Sequence, residues 1–264
     1  MEDQTDVREG RTAERSPVIP TMSRSTMLLL LTLAAGSVDA ISYLGLGHVF
    51  TAMMTGNTVL LGLALGQGHA LAALRSILAL VGFAVGVTLG ALIVQRDQDK
   101  VGWPPAVTKA LGIEAGLLAL FAVTWNLAGP EQGEAVVYVS IVMTAVAMGI
   151  QSAAVQRLGI PGVMTTYITG TLTNLMVDLA RSFHSAKSGS VTASRGETTD
   201  RPGLPSVPWE SRVGLLTAVF LFYGLGALAG SFLQYHSLAF VTVLPSVAVA
   251  AVIANATVHR RRQR

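Results

Sequence analysis

Cysteine is absent from all 264 residues, which excludes disulfides, thiolate metal centres, iron–sulfur ligation and thiol nucleophiles. Charge is scarce too: Asp, Glu, Lys and Arg make up 12% of the chain, against roughly 25% in soluble domains. From Thr26 to Gln95 the only formal charges are Asp39 and Arg75, whereas the first 24 residues carry nine. The G-x-S-x-G, His-Glu-x-x-His, P-loop and dinucleotide fingerprints are missing, and the five His residues fall at segment ends or in loops without metal-ligand spacing. No catalytic residue, metal or cofactor is expected. The net charge of +3 comes from basic residues in tails and loops, where membrane orientation accounts for them, and no nucleic-acid partner is expected.

Apolar residues fill 51% of the chain, and the mean hydropathy is +0.56. A soluble globule is excluded, and the lipid bilayer is the expected surrounding. Residues 1–25 mix both charge signs with Ser, Thr and Pro and read as a disordered tail. Eight apolar stretches follow, at 27–47, 49–67, 70–95, 107–128, 135–156, 161–179, 213–235 and 238–257. Most are near the ~20 residues that cross a bilayer. A cleaved signal peptide competes for the first, but its long acidic lead argues against that. Residues 184–210 carry Ser, Thr, Gly, mixed charge and three prolines, the composition of a flexible loop. A single membrane domain is expected over 26–257, in halves 26–128 and 134–257, with a basic cytoplasmic tail at 258–264.

The halves come from an internal repeat. Sliding the chain by 114 residues pairs Ala40–Gly56 with Ala154–Gly170, and seven of the 17 positions are identical, ending in Thr55-Gly56 and Thr169-Gly170. Each half also carries a small-residue ladder, Gly82, Gly86 and Gly90 in the first and Gly226 and Gly230 in the second. Such Gly-x-x-x-Gly faces let membrane helices approach closely, and a homo-oligomer through them is expected.

Basic residues favour the cytoplasmic side and so score the topologies. If all eight stretches cross, four of the 18 basic residues fall outside. If 49–67 and 161–179 instead dip in and return, six stretches cross and Arg75 alone is misplaced. Each half then has three crossings, so the halves are inverted, as in many secondary transporters. Length is the counter-argument, since each dipping stretch has about the 19 apolar residues needed to span. The favoured reading is an all-α polytopic transmembrane helix bundle of two inverted halves, with six crossings, two broken or re-entrant segments and both termini cytoplasmic.

The stretch GSVDAISYLGLGHVFTAMMTGNTVLLGLAL, Gly36 to Leu65, carries an Asp-Ala pair at Asp39 and Ala40, Phe50, and a Met-Thr-Gly-Asn string at Met54 to Asn57. With TGTLTNL at Thr169 to Leu175, it resembles the YoaK-like family of bacterial inner-membrane proteins, over nearly the whole chain apart from the tail and the 184–210 loop. The resemblance implies a six-helix integral membrane protein of the cell inner membrane, in a family defined by a domain of unknown function. It implies no reaction.

The residues themselves must then suggest the activity. Asp39 lies deep in the first stretch, where a carboxyl costs several kcal/mol unless protonated, paired or wet. Ser42 and Tyr43 follow at i+3 and i+4, extending a polar strip toward the break at Gly45 to Gly47. Two readings stand for Asp39: a proton- or cation-coupling carboxylate, or a buried brace for the broken segment beside it. Thr51, Thr55 and Thr58 fall on one helical face, as do Thr171, Asn174 and Asp178, while Gly56 and Gly170 allow the backbone to unwind. In inverted halves the two Thr-Gly strings would meet near the midplane, where transporters bind substrate.

The candidate substrate or ion site is therefore Asp39, Ser42, Thr55, Gly56, Asn57, Thr169, Gly170, Thr171 and Asn174. It is asymmetric, because Asp39 is matched by Ala153 and Asn57 by Thr171 in the repeat. Arg75 reads as a snorkelling anchor, and Glu114 as a group that reaches an interface. The expected function is small-molecule or ion transport. The alternative is a non-transporting membrane scaffold or sensor, in which the Thr-Gly strings only pack helices.

Overall fold

The computed structural model describes residues 22–95, 103–128, 133–158, 166, 168–188, 209–236 and 241–262. Eight α-helices hold nearly all of them: α1 (Arg24–Gly45), α2 (Met54–Gly66), α3 (Ala70–Val94), α4 (Pro105–Ala128), α5 (Glu134–Arg157), α6 (Ile168–Ser188), α7 (Trp209–His236) and α8 (Val243–Arg262). No strand occurs among the described residues. Helices α1, α3, α4, α5 and the Arg212–His236 part of α7 are long and apolar enough to cross a membrane, whereas Met54–Gly66 and Val243–Val258 are apolar but shorter. The expected 184–210 loop is narrower than its composition suggested, because α6 runs to Ser188 and α7 begins at Trp209. The tail at 1–21 and residues 189–208 lie outside the described residues.

Local chemistry sets the helix ends. Ser23 caps α1 by accepting the Thr26 N–H at 3.1 Å, which satisfies one of the orphan donors of the first turn. Pro105 opens α4, where its missing N–H costs nothing. Beyond α1 the chain reverses through Gly47 at φ 83 and His48 at φ 66. Gly47 also lies hard against the Arg75 guanidinium, so a side chain there would be both strained and obstructed.

The closest helix pairs are α3 with α5 and α1 with α7. Small residues make both. A Cβ on Gly86 would overlap the Val146 carbonyl, and one on Gly149 the Phe83 carbonyl. Likewise Gly36 meets the backbone of Tyr223, Gly226 that of Leu33 and Gly230 that of Ser37. The two glycine ladders are thus occupied inside the chain. The outward positions Gly112 and Gly116 have nothing within 4 Å. Exchanging α1 to α4 with α5 to α8 maps the first close pair onto the second, α4–α5 onto α1–α8, and α2–α3 onto α6–α7.

The same contacts fix helix directions. Leu33 and Ser37 meet Gly226 and Gly230 in rising order, so α1 and α7 are parallel; Gly82, Gly86 and Gly90 meet α5 in rising order as well. Arg75, early in α3, touches Gly47 just past the end of α1, and pairs at 2.8 Å with Glu134, the first residue of α5. Trp125, near the end of α4, packs on Gly45. At the opposite end the Met22 N–H donates to Asn255 Oδ1 of α8 at 2.8 Å. Helices α1, α4 and α7 therefore run one way, and α3, α5 and α8 the other.

The short helix α2 does not traverse this bundle. Residues 51 and 52 fold back to Asp39, six positions and about 9 Å inside the end of α1. Thirteen residues of α2 cover only ~20 Å before Gly68 turns the chain into α3, at the end where α1 finished. Helix α6 is longer, at 21 residues, but is approached in the same way: the hydroxyls of Ser152 and Thr166 are 2.7 Å apart just inside the end of α5, and Asp178, midway along α6, lies 3.2 Å from Arg212 near the start of α7.

Candidate functional site

Asp39 is buried, and its carboxylate ties three elements together. Oδ1 accepts the N–H groups of Thr51 at 2.8 Å and Ala52 at 2.7 Å, while Oδ2 accepts the Tyr223 hydroxyl of α7. Charge-assisted bonds of this kind are the strong ones. The three bonds join α1, the segment before α2 and α7 at the break. Ser42 adds to them: its hydroxyl donates to the Val38 carbonyl and sits 3.1 Å from that of Thr51. Thr51 precedes α2 rather than sharing its face with Thr55 and Thr58, because helical structure starts only at Met54. Asn57 holds the same break from the other side. Its Oδ1 accepts the Phe50 N–H at 2.9 Å and its Nδ2 donates to the Phe50 carbonyl. Phe50 in turn stacks on Tyr43 with centroids 5.0 Å apart.

The two Thr-Gly strings approach one another. Thr55, at the start of α2, and Thr169, at the start of α6, line one cavity of about 260 Å³ with Ser152, Gln156, Thr166 and Tyr223. Met53 is the N-cap of α2 and offers no side-chain cap. A second cavity, of about 310 Å³, lies toward the end of α1 and is lined by Asp39, Tyr43, Leu44 and Phe50. Met53 and Tyr223 line both cavities. Tyr223, shared by both, donates its hydroxyl to Asp39, which lines the second.

A family described as a protein of unknown function, DUF1275, matches residues 27–256, which span all eight helices. The chain belongs to the DUF1275 family. It is also similar to the UPF0700 transmembrane protein YoaK of Bacillus subtilis (strain 168), 45% identical over 157 residues that cover 60% of this chain and 68% of that one. No solved structure matches. Family and helices together make this DUF1275 protein a multi-pass membrane protein whose apolar helix faces contact lipid.

The expected site residues divide within the DUF1275 bundle. Thr55 and Thr169 line the first cavity and Asp39 the second. Ser42 and Asn57 are buried and engaged with backbone or Thr51. Gly56 packs on the Phe50 ring, which leaves no room for a side chain without a shift of the ring. Thr171 is buried, and Gly170 and Asn174 are half-buried; none of the three lines either cavity. The expected interruption at 159–162 lies outside the described residues.

Three residues were placed wrongly or missed. Arg75 is not a free snorkel but bridges Gly47 and Glu134. Tyr223, the partner of Asp39, carries no local sequence signal. Glu114 reaches no interface: it is 0% exposed. Its burial was readable, because Val107, Leu111, Glu114, Leu118, Phe121 and Trp125 alternate steps of four and three, the spacing of a buried helix seam.

Proposed function

We propose that this protein is a secondary transporter of a small molecule or ion, with its site in the cavity between the starts of α2 and α6. The observation that carries the proposal is that Thr55 and Thr169, the matched ends of the two repeats, line one cavity. Short helices that start inside a bundle and return to the side they came from are tolerated where they face a cavity. They form the binding sites of transporters built from inverted repeats. The second cavity, which shares Met53 and Tyr223 with the first, supports alternating access.

The alternating directions of α1, α3, α4, α5, α7 and α8 support six crossings, with α2 and α6 re-entrant. Three crossings per half invert the second half relative to the first, and the exchange of helix pairs between halves supports that symmetry. With 17 of 18 basic residues on one side, both termini are assigned to the cytoplasm and the protein to the bacterial inner membrane. In this scheme residues 26–257 form a single membrane domain between an N-terminal tail and a basic C-terminal tail. A homo-oligomer, if formed through Gly-x-x-x-Gly, would use an outward pair, Gly112 and Gly116 of α4 or Gly62 and Gly66 of α2, because the ladders on α3 and α7 are filled.

The test is purification, reconstitution in liposomes and uptake of radiolabelled solute libraries, with Thr55→Trp as the control that fills the cavity. Uptake lost in that variant, with thermal stability retained, supports the reading. Absence of uptake for every solute, with no ligand shifting thermal stability, favours the scaffold or sensor.

A further inference from the structure

We propose that Glu114 is an exchangeable proton-binding site in the middle of the bundle. Its carboxyl is fully buried, and neither Oε1 nor Oε2 has a hydrogen-bond partner among the described residues. It occupies a core position of the α4 seam, where Ala110, Leu111 and Leu118 within a turn of it are also buried. Nine residues into α4, it is about 13 Å from that end of the helix. An ionised carboxylate in such a place costs far more than the carboxylic acid, so the group holds a proton there.

No charged neighbour at that level offers an alternative. On α4 itself Lys109 is exposed. The helices packed on α4 are α5, α8 and α3, with α1 touching its end. On α5 the titratable groups are Glu134, Tyr138 and Arg157, all toward the helix ends, and on α3 there is Arg75, which is paired with Glu134. From Val243 to Val258, α8 has none. On α1 there are Arg24 at the start, Tyr43 near the end, and Asp39, which is committed to Tyr223, Thr51 and Ala52.

The core also contains further buried polar side chains, on α5. Ser140, Thr144 and Gln151 of α5 are all buried. At i, i+4 and i+11 they share one helix face, opposite the one that α3 covers. The Thr144 hydroxyl donates to the Ser140 carbonyl and the Gln151 amide to the Leu31 carbonyl of α1, so this part of the interior is not wholly apolar. Glu114 is then a better candidate than Asp39 for a coupling carboxyl, because its protonation breaks no bond that holds the fold. That last step rests on the transporter reading; the protonation itself does not.

Infrared spectroscopy of the purified full-length protein tests the site with the proton as the only ligand. At neutral pH the parent should show the C=O stretch of a protonated carboxylic acid, which surface carboxylates do not give. Glu114→Gln should remove that band or a distinct component of it, Asp39→Asn should leave that component in place, and transfer of the folded parent to D2O should shift it. Isotope-labelled glutamate in the parent should also shift it, which keeps the assignment open to test if Glu114→Gln does not fold. A parent without the band, a band that Glu114→Gln or the label leaves untouched, or a component that does not respond to D2O overturns the proposal. Loss of uptake in the cavity-filling Thr55→Trp variant reads the transporter proposal separately.

Discussion

The Tyr223 hydroxyl donates to Asp39 Oδ2 although 184 positions separate the two residues. The bond ties α7 to the break between α1 and α2, and its Tyr223 lines both cavities. Removing it should destabilise the fold in graded steps. Tyr223→Phe leaves one buried carboxylate oxygen unpaired, at about 1.5–3 kcal/mol. Asp39→Asn should cost less, because the amide oxygen keeps the Thr51 and Ala52 donors and the Tyr223 hydroxyl can turn to accept. Asp39→Ala orphans two buried N–H groups and a hydroxyl and should cost about 3 kcal/mol or more. Thermal unfolding of the three variants in one detergent gives the order. Asp39→Ala as stable as the parent would remove the brace from the account.

Close helix approach should be the most sensitive feature of the bundle. Gly86→Leu drives a side chain into the Val146 carbonyl, and Gly226→Leu into that of Leu33. Overpacking of this sort costs typically about 1–3 kcal/mol and more where backbone is struck. Gly112→Leu and Gly116→Leu meet nothing within 4 Å and should leave monomer stability unchanged. Expression level and size-exclusion profile of the four variants separate the inward ladders from the outward pair. A changed elution volume in Gly116→Leu alone would indicate an oligomer contact.

Local pattern and long-range contact divide what the sequence could reveal. The eight stretches, the interruption after Gly45 and the glycine ladders are local, and each corresponds to an observed helix, turn or close pair. Thr55 and Thr169, matched by the 114-residue offset, line one cavity. Partners were not legible: nothing near Asp39 points to Tyr223, and nothing near Arg75 points to Glu134, 59 residues away. Thr51 looked helical because a period of four continues into α2, but the Asp39 carboxylate holds its N–H in an extended turn. Glu114 was read as reaching an interface although its seam is plain in the spacing, because a charged residue invites a surface reading.

Six crossings and eight crossings make opposite statements about α2. If α2 is re-entrant, a reporter fused after Gln67 reads periplasmic and one fused after Gln95 reads cytoplasmic. Eight crossings reverse both signs. Fusions after Ala128 and Leu158 give a second, independent pair, periplasmic and cytoplasmic respectively, and eight crossings reverse these signs too. Cytoplasmic signal after Gln67 would restore a spanning α2 and dissolve the inverted halves.

The shared cavity makes the last claim that needs no substrate. Thr55 and Thr169 face it from α2 and α6, and the chain has no cysteine of its own, so Thr55→Cys with Thr169→Cys forms a single reactive pair. A protease site inserted between residues 96 and 102 cuts the chain between the two positions. Oxidation, or a short thiol-specific linker that spans the cavity, should keep the fragments together on a denaturing gel. The pair Thr55→Cys with Thr124→Cys should come apart, because Thr124 lies beside Trp125 at the far end of α4. The linked protein should also be the inactive one once a substrate is found, since the link fixes the two helix starts that line the site. Two fragments after linking of the Thr55 and Thr169 pair would mean that the cavity does not join the repeats in the membrane, and the proposed site would fall with it.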